Sequence, residues 1–314
     1  MHMLEFVFLW GAVVFAVALA LTLIPDHRAW LARRLGTRVG LGVPADLAAS
    51  VEARVALRSR AACVGALLAL AVSLAGLSLA GVSIGSATPR TDDGLTVVQM
   101  YAVLGAVSIG YSWGAAWASL RSASARDDRP RVARLTAPGV SAFVRPGLRI
   151  GAWALLVLAA SAVAIVALGE RPDQVASLAP CVALVGVALA GLVASEVLGR
   201  RVVRRGRPAV DTDELVWDDA LRSETLRDLL VGPLQSLALG GAYAVIRPDL
   251  SGVSAFALFP ALIGAAGFVL LSFVFRADRR RFLDELWPGA RRRTPDEEAR
   301  RIAAAADPAG ATAR

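Results

Sequence analysis

The sequence predicts an all-α fold: a polytopic membrane helix bundle of seven transmembrane helices, N-terminus outside and C-terminus cytoplasmic. Three observations predict it. Apolar runs of roughly 18 or more residues recur along the chain, each long enough to cross a hydrocarbon core of about 30 Å as a helix. Over 314 residues, 56% are hydrophobic and the mean hydropathy is +0.57, a level that soluble domains rarely reach. The arginines alternate between the loops. About 31 of them fall in segments assigned to the inside and about 3 in those assigned outside, which is the pattern of the positive-inside rule.

The first span runs from about Leu4 to Ile24. Its start, Met-His-Met-Leu-Glu, lacks the basic residues of a cleaved leader, so it is expected to be a retained helix that Pro25 closes. The first cytoplasmic segment, 25–60, carries seven arginines. Within it HRAWLARRL suits a short interfacial helix with Trp30 at headgroup level, broken from Gly36 to Pro44. From Ala45 the pattern is helical again and leads into a second span at about Ala61–Gly81. There Gly65, Ala69 and Ser73 recur at i+4, and such small residues let helix backbones approach in lipid.

A short external segment leads to the third span, about Val97–Ser119, whose polar face carries Tyr101, Ser108, Ser112 and Ser119 beside a Gly110–Gly114 pair. The second cytoplasmic segment, 120–148, is again rich in arginine. A fourth span, about Ile150–Leu168, and a fifth, about Ser177–Leu198, flank a tiny external loop. The third cytoplasmic segment is 199–228. The sixth span, about Leu229–Ile246, is the least ideal, with Gly232, Pro233, Gln235, Ser236, Gly240 and Gly241. The seventh, about Val253–Phe275, contains Pro260. The chain thus divides into a bundle, 1–275, and a cytoplasmic tail, 276–314. In the tail RRRFLDELWPG extends the last helix, Thr294–Glu298 starts another, and the end is disordered.

Segment 199–228 organises the rest. Arg200, Arg201, Arg204, Arg205 and Arg207 come first, then seven acids. The arginines set topology. Arg200, Arg201, Arg204 and Arg205 are the candidate contacts for anionic lipid headgroups on the cytoplasmic side. Asp211, Asp213 and Glu214 resemble a metal cluster. Their spacing fits a helix start better, with Asp211 as cap and Glu214 at the third helical position. From there the sixth span is expected to extend into the cytoplasm with an exposed face. Pro44–Ser59 and Pro208–Ser223 share an initial Pro-Ala and a final Ala-Leu-Arg-Ser, so spans one to three and five to seven are either two similar units or a chance match.

No ionisable group falls near a span centre. Glu5, Arg149, Glu196 and Asp228 lie at span ends, and Glu196 is one turn from Arg200, an expected ion pair. Gln235 is the deepest strongly polar side chain, roughly 10 Å below the start of its span at 1.5 Å per residue. With Tyr101, Ser108 and Ser112 it forms a candidate polar cavity, although helix packing accounts for the same face. There is no lysine, and neither a clustered-histidine nor a CxxC spacing. Cys63 and Cys181 fall near opposite membrane faces, too far apart to pair, and are expected to be packing residues. No catalytic, metal or cofactor residue is assigned. The basic balance belongs to membrane topology rather than to nucleic acid. The expectation is a non-enzymatic protein of the bacterial inner membrane whose partners are the bilayer, anionic headgroups and a cytoplasmic protein. The alternative is a small-molecule permease or transporter subunit using helices 3 and 6.

Two stretches, RVARLTAPGVSAFVRPGLRIGAW and WDDALRSETLRDLLVG, resemble segments of uncharacterised multi-pass membrane proteins of high-GC actinobacteria. The resemblance covers two cytoplasmic loops and the entries to spans four and six. It implies a membrane location and no activity, cofactor or functional residue.

Overall fold

The computed structural model describes residues 3–79, 93–121, 138–169, 179–204, 209, 211–246 and 278–287. These are helical: α1 (Met3–Leu21), α2 (Pro25–Val39), α3 (Ala48–Leu79), α4 (Asp93–Arg121), α5 (Pro146–Gly169), α6 (Ala179–Arg204), α7 (Thr212–Ile246) and α8 (Arg281–Leu286), with short 3-10 turns at Val140–Ala142 and Asp278–Arg280. Among the described residues Ala48–Ser78, Pro146–Ile165 and Cys181–Arg204 are long and apolar enough to cross a membrane. Phe8–Leu21 with Pro25–Val39, bent by 97° at the break between them, makes up a fourth if the pair is one span. The expected seventh span and most of the tail lie outside the described residues.

The bend between α1 and α2 follows from Pro25 at the start of α2. Proline is pre-set for a first helical turn and cannot continue the preceding helix. Arg28 holds the corner, donating from Nε to Thr22 O at 2.7 Å and from Nη2 to Leu23 O at 3.0 Å. The helix α2 is amphipathic as expected. Ala32, Leu35, Gly36 and Val39 are buried, while Trp30, Arg33, Arg34 and Arg38 are exposed. It does not break at Gly36, however, but at Gly40, whose φ of 77° suits a residue without a Cβ. Gly36 stays within α2, and the site needs a glycine because a Cβ there would meet Leu41 O, from the chain turning back after Gly40, at 2.6 Å.

Two expected loop-and-span units are single helices. The cytoplasmic stretch after Ala45 and the second span are one helix, α3, and the acidic stretch and the sixth span are one helix, α7. Pro233 sits inside α7, in the part assigned to the membrane. The arginine run after the fifth span stays helical through Arg204.

The most extensive pairings are α3 with α4, α4 with α7 and α6 with α7, so α4 and α7 are central. On the α3–α4 seam a Cβ on Gly65, Gly110 or Gly114 would fall well under 3.0 Å from backbone atoms of the facing helix. The two backbones touch there. Beyond the seam the apolar surface faces outward: Val72 is 71% exposed and Leu168 87%. This inverts the soluble pattern and is what a lipid solvent requires. Cys63 and Cys181 are both buried.

Candidate functional site

Among the described residues the largest buried cluster gathers around the first half of α7 and runs on into the apolar parts of α5, α6 and α7. Residues 215–227 are all buried. The expected exposed face of this helix is therefore absent, because α2, the start of α3, the first 3-10 turn and α8 close around it. Trp217 is 2% exposed and donates from Nε1 to Gly42 O at 3.2 Å. Leu35 and Val39 of α2, Val51 of α3, Phe143 after the first 3-10 turn and Phe282 of α8 belong to the same apolar cluster. Trp287 donates from Nε1 to Asp219 Oδ2 at 3.0 Å, and Arg281 from Nε to Ser141 O at 3.0 Å. Parts of segments 25–60, 120–148, 199–228 and the tail thus meet at one helix.

The start of α7 is as its residues require. Asp211 Oδ1 accepts the Glu214 N–H at 2.6 Å, so Asp211 is the cap. Among the described residues no group of three or more acids, histidines or cysteines is arranged to hold a metal ion. Glu214 reaches Arg54 of α3 at 2.5 Å.

Burying so many ionic groups is costly unless each is paired, and here they are. Arg54 also lies 3.7 Å from Asp218, and Arg222 is 2.6 Å from Asp218 and 3.6 Å from Asp219. Glu224 pairs with Arg227 at 3.2 Å and meets Arg279 at 4.0 Å. Arg58 is bonded to Asp228, the last residue of segment 199–228. Burial pushes the Asp228 carboxyl above the usual carboxylate range, with Arg58 pulling it back and Glu224 adding to the rise. The Arg54 pairs join Pro44–Ser59 to Pro208–Ser223, the two stretches that echo each other in sequence. Arg54 alone takes both Glu214 and Asp218, which stand at i, i+4 on α7, while Arg58 reaches Asp228, beyond the echo.

The expected pair of Glu196 with Arg200 is replaced by one between helices. Arg149 of α5 donates from Nε to Glu196 Oε1 at 3.0 Å, and its Nη2 binds Oε2. A bidentate guanidinium fork outmatches a flexible neighbour one turn away.

Of the residues of the candidate polar cavity, Ser108 and Ser112 fall on the α4–α7 seam. Ser108 donates to Leu104 O and Ser112 to Ser108 O, both at 2.9 Å, so each hydroxyl bonds back to its own helix. Ser112 is buried, and a Cβ on Gly232 would meet its Oγ at 2.9 Å. Ser236 Oγ bonds Gly105 O at 3.3 Å, and Ser119 Oγ lies 2.8 Å from Thr225 Oγ1. Gln235 is half-buried. Tyr101 lies on α4, with its side chain outside the described residues.

Of the candidate headgroup contacts, Arg200, Arg201 and Arg204 are exposed at the end of α6, and Arg205 lies outside the described residues. Two further arginines stack on indoles at exposed sites: Arg34 over Trp30 at 4.8 Å and Arg121 over Trp117 at 4.4 Å. His27 stacks on the same Trp30 with ring centroids 5.3 Å apart.

Comparison of the chain with protein-family models, with curated proteins and with solved structures finds no match.

Proposed function

We propose that this is a multi-pass protein of the bacterial inner membrane, a seven-span bundle with its N-terminus outside and its C-terminus cytoplasmic. Its role is that of a non-enzymatic membrane component. It presents a folded cytoplasmic layer to anionic headgroups of the inner leaflet and to a cytoplasmic protein partner, and it binds no nucleic acid. The observation that carries this reading is the division of the arginines into two populations. Arg54, Arg58, Arg149, Arg222 and Arg227 are partly or fully buried and paired with acids, so they hold helices together. Arg33, Arg34, Arg38, Arg200, Arg201 and Arg204 are exposed around the same layer, where cations meet an anionic leaflet. Each carboxylate of the cluster is committed to an arginine, which supports a structural use rather than a catalytic one.

The permease reading needs space between α4 and α7. The contacts of Ser112 with Gly232 and of Ser236 with Gly105 fill that seam and favour the first reading.

Single-cysteine labelling of the full chain in intact cells tests the topology. Positions in 82–92, 170–176 and 247–252 are expected to react with an impermeant maleimide from outside. Positions in 122–137 and 289–300 are expected to react only after permeabilisation. The reverse pattern at either set overturns the orientation. A photo-crosslinker at Thr37, exposed on α2, tests the partner. Crosslinks to lipid alone would remove the protein partner from the proposal.

A further inference from the structure

Beside the α3–α4 seam lies an apolar groove of about 910 Å³, lined by α3, α4 and α6. Its origin is physical. Gly65, Gly110 and Gly114 let the two backbones touch, and all three line the groove together with Ala61, Ala69 and Ala106. Small residues therefore make the floor shallow, while Leu68 and Val72 on one side and Val187 on the other form walls. A cavity of this size falls in the range of sites for organic ligands of moderate size, and its lining is almost wholly apolar.

One end of the groove differs from the rest. Arg60 lines it there, close in sequence to the Ala61 that faces Gly114. Trp117 lines the same end, half exposed, with the Arg121 guanidinium stacked on its ring. Arg60 donates from Nε to Thr22 Oγ1 at 3.0 Å and from Nη2 to Thr22 O at 2.9 Å, both neutral acceptors. Among the described residues neither Arg60 nor Arg121 has a carboxylate partner, and no acid lines the groove. Arg58 and Arg54, two and six residues earlier on α3, are both neutralised by acids of α7. Two uncompensated cations and two half-exposed indoles, Trp113 and Trp117, thus mark one end of an apolar trench. That combination matches one ligand chemistry: an apolar chain carrying an anionic head, held at the depth where tryptophan and arginine favour the interface.

We propose that this groove binds a single anionic phospholipid of the inner leaflet. One acyl chain lies along the Gly65–Gly110–Gly114 floor and the phosphate sits at Arg60 and Arg121. The proposal rests on the orientation given above, which makes that end cytoplasmic.

The test uses the full chain in nanodiscs of phosphatidylcholine. Trace doxyl-labelled phosphatidylglycerol is compared with doxyl-labelled phosphatidylcholine at equal mole fraction, reading tryptophan quenching. The component of interest is the quenching lost in the Trp113→Phe, Trp117→Phe double variant. For that component the phosphatidylglycerol probe is expected to be favoured on the order of tenfold, with Arg121→Gln reducing the preference about fivefold. Arg121 is exposed, so this variant leaves the fold intact. Ala190→Phe fills the groove from the exposed face of α6 and is expected to abolish the quenching of Trp113 and Trp117 by both probes. Equal quenching by the two probes overturns headgroup recognition. Quenching that survives Ala190→Phe, or that is absent from the outset because a second copy or residues 253–275 cover the groove, overturns the site. A wrong orientation shows separately, as reversed maleimide labelling with the lipid preference intact.

Discussion

The helices α3 and α7 each pass through two environments, and they are held differently in each. In the charged layer α3 presents Arg54 and Arg58 to Glu214, Asp218 and Asp228 of α7, around an apolar cluster built on Trp217. In the span region α3 presents Gly65 to α4, and α7 presents Gly232 and Ser236 to the other side of α4. The difference is one of solvent. In water, burying Trp217 and its neighbours drives association, and long ionic side chains bridge the residual gaps. In lipid, apolar burial gives no such drive, so helices associate where small residues let backbones touch and hydroxyls bond back to their own helix. The same two sequences therefore change from large and charged to small and neutral within about three turns.

This contrast breaks most visibly at the seam. Gly110→Leu would place side-chain atoms on the backbone of Gly65 with nothing flexible to yield. The expected outcome is loss of monodisperse protein on size-exclusion in detergent, while a leucine at the open Gly186 is tolerated. Equal yields for the two variants would mean that backbone contact does not hold α3 to α4.

Next in size is the boundary pair. Asp228→Asn leaves the Arg58 guanidinium without its counter-ion, and an arginine cannot escape by losing a proton. Arg58→Gln leaves a carboxyl that is already pushed upward and can take one up. Breaking a fully buried pair costs about 3–5 kcal/mol. For this partly exposed pair Asp228→Asn is expected to cost about 2 kcal/mol in denaturant unfolding, and Arg58→Gln less. The sign for pH follows from the raised carboxyl. Its protonated form is favoured in the fold, so the Arg58→Gln variant is expected to be stabilised as pH falls through that raised value and to lose the gain as pH rises.

Smaller effects sharpen the same boundary. Asp211→Ala removes the cap of α7 and is expected to cost about 1 kcal/mol, seen as faster exchange of the Glu214 amide. Ser119→Ala removes the hydroxyl contact with Thr225 and is expected to cost about 0.6 kcal/mol, the scale of an interhelical hydrogen bond in a membrane.

The helical class, the membrane character and the amphipathic α2 were legible because each rests on local signals: run length, mean hydropathy and a 3.6-residue stripe. The Asp211 cap was legible for the same reason. The enclosure of α7 was not. Its residues 211–228 carry charges at nearly every turn, which locally describes a solvated helix. Only the acids' partners on α3 and the tail's Phe282 and Trp287 show that they are interior. Glu196 is a similar case, with a candidate partner one turn away and its actual one, Arg149, on another helix.

The sequence by itself determined which stretches are helical and apolar, where α7 begins, and that arginine gathers beside the spans. The tertiary structure decided which arginines are neutralised inside the protein and which remain at its surface. An ion pair between Arg58 and Asp228 spans 170 positions of chain. Whether a charge is buried depends on what the rest of the chain places beside it, and no local pattern carries that information.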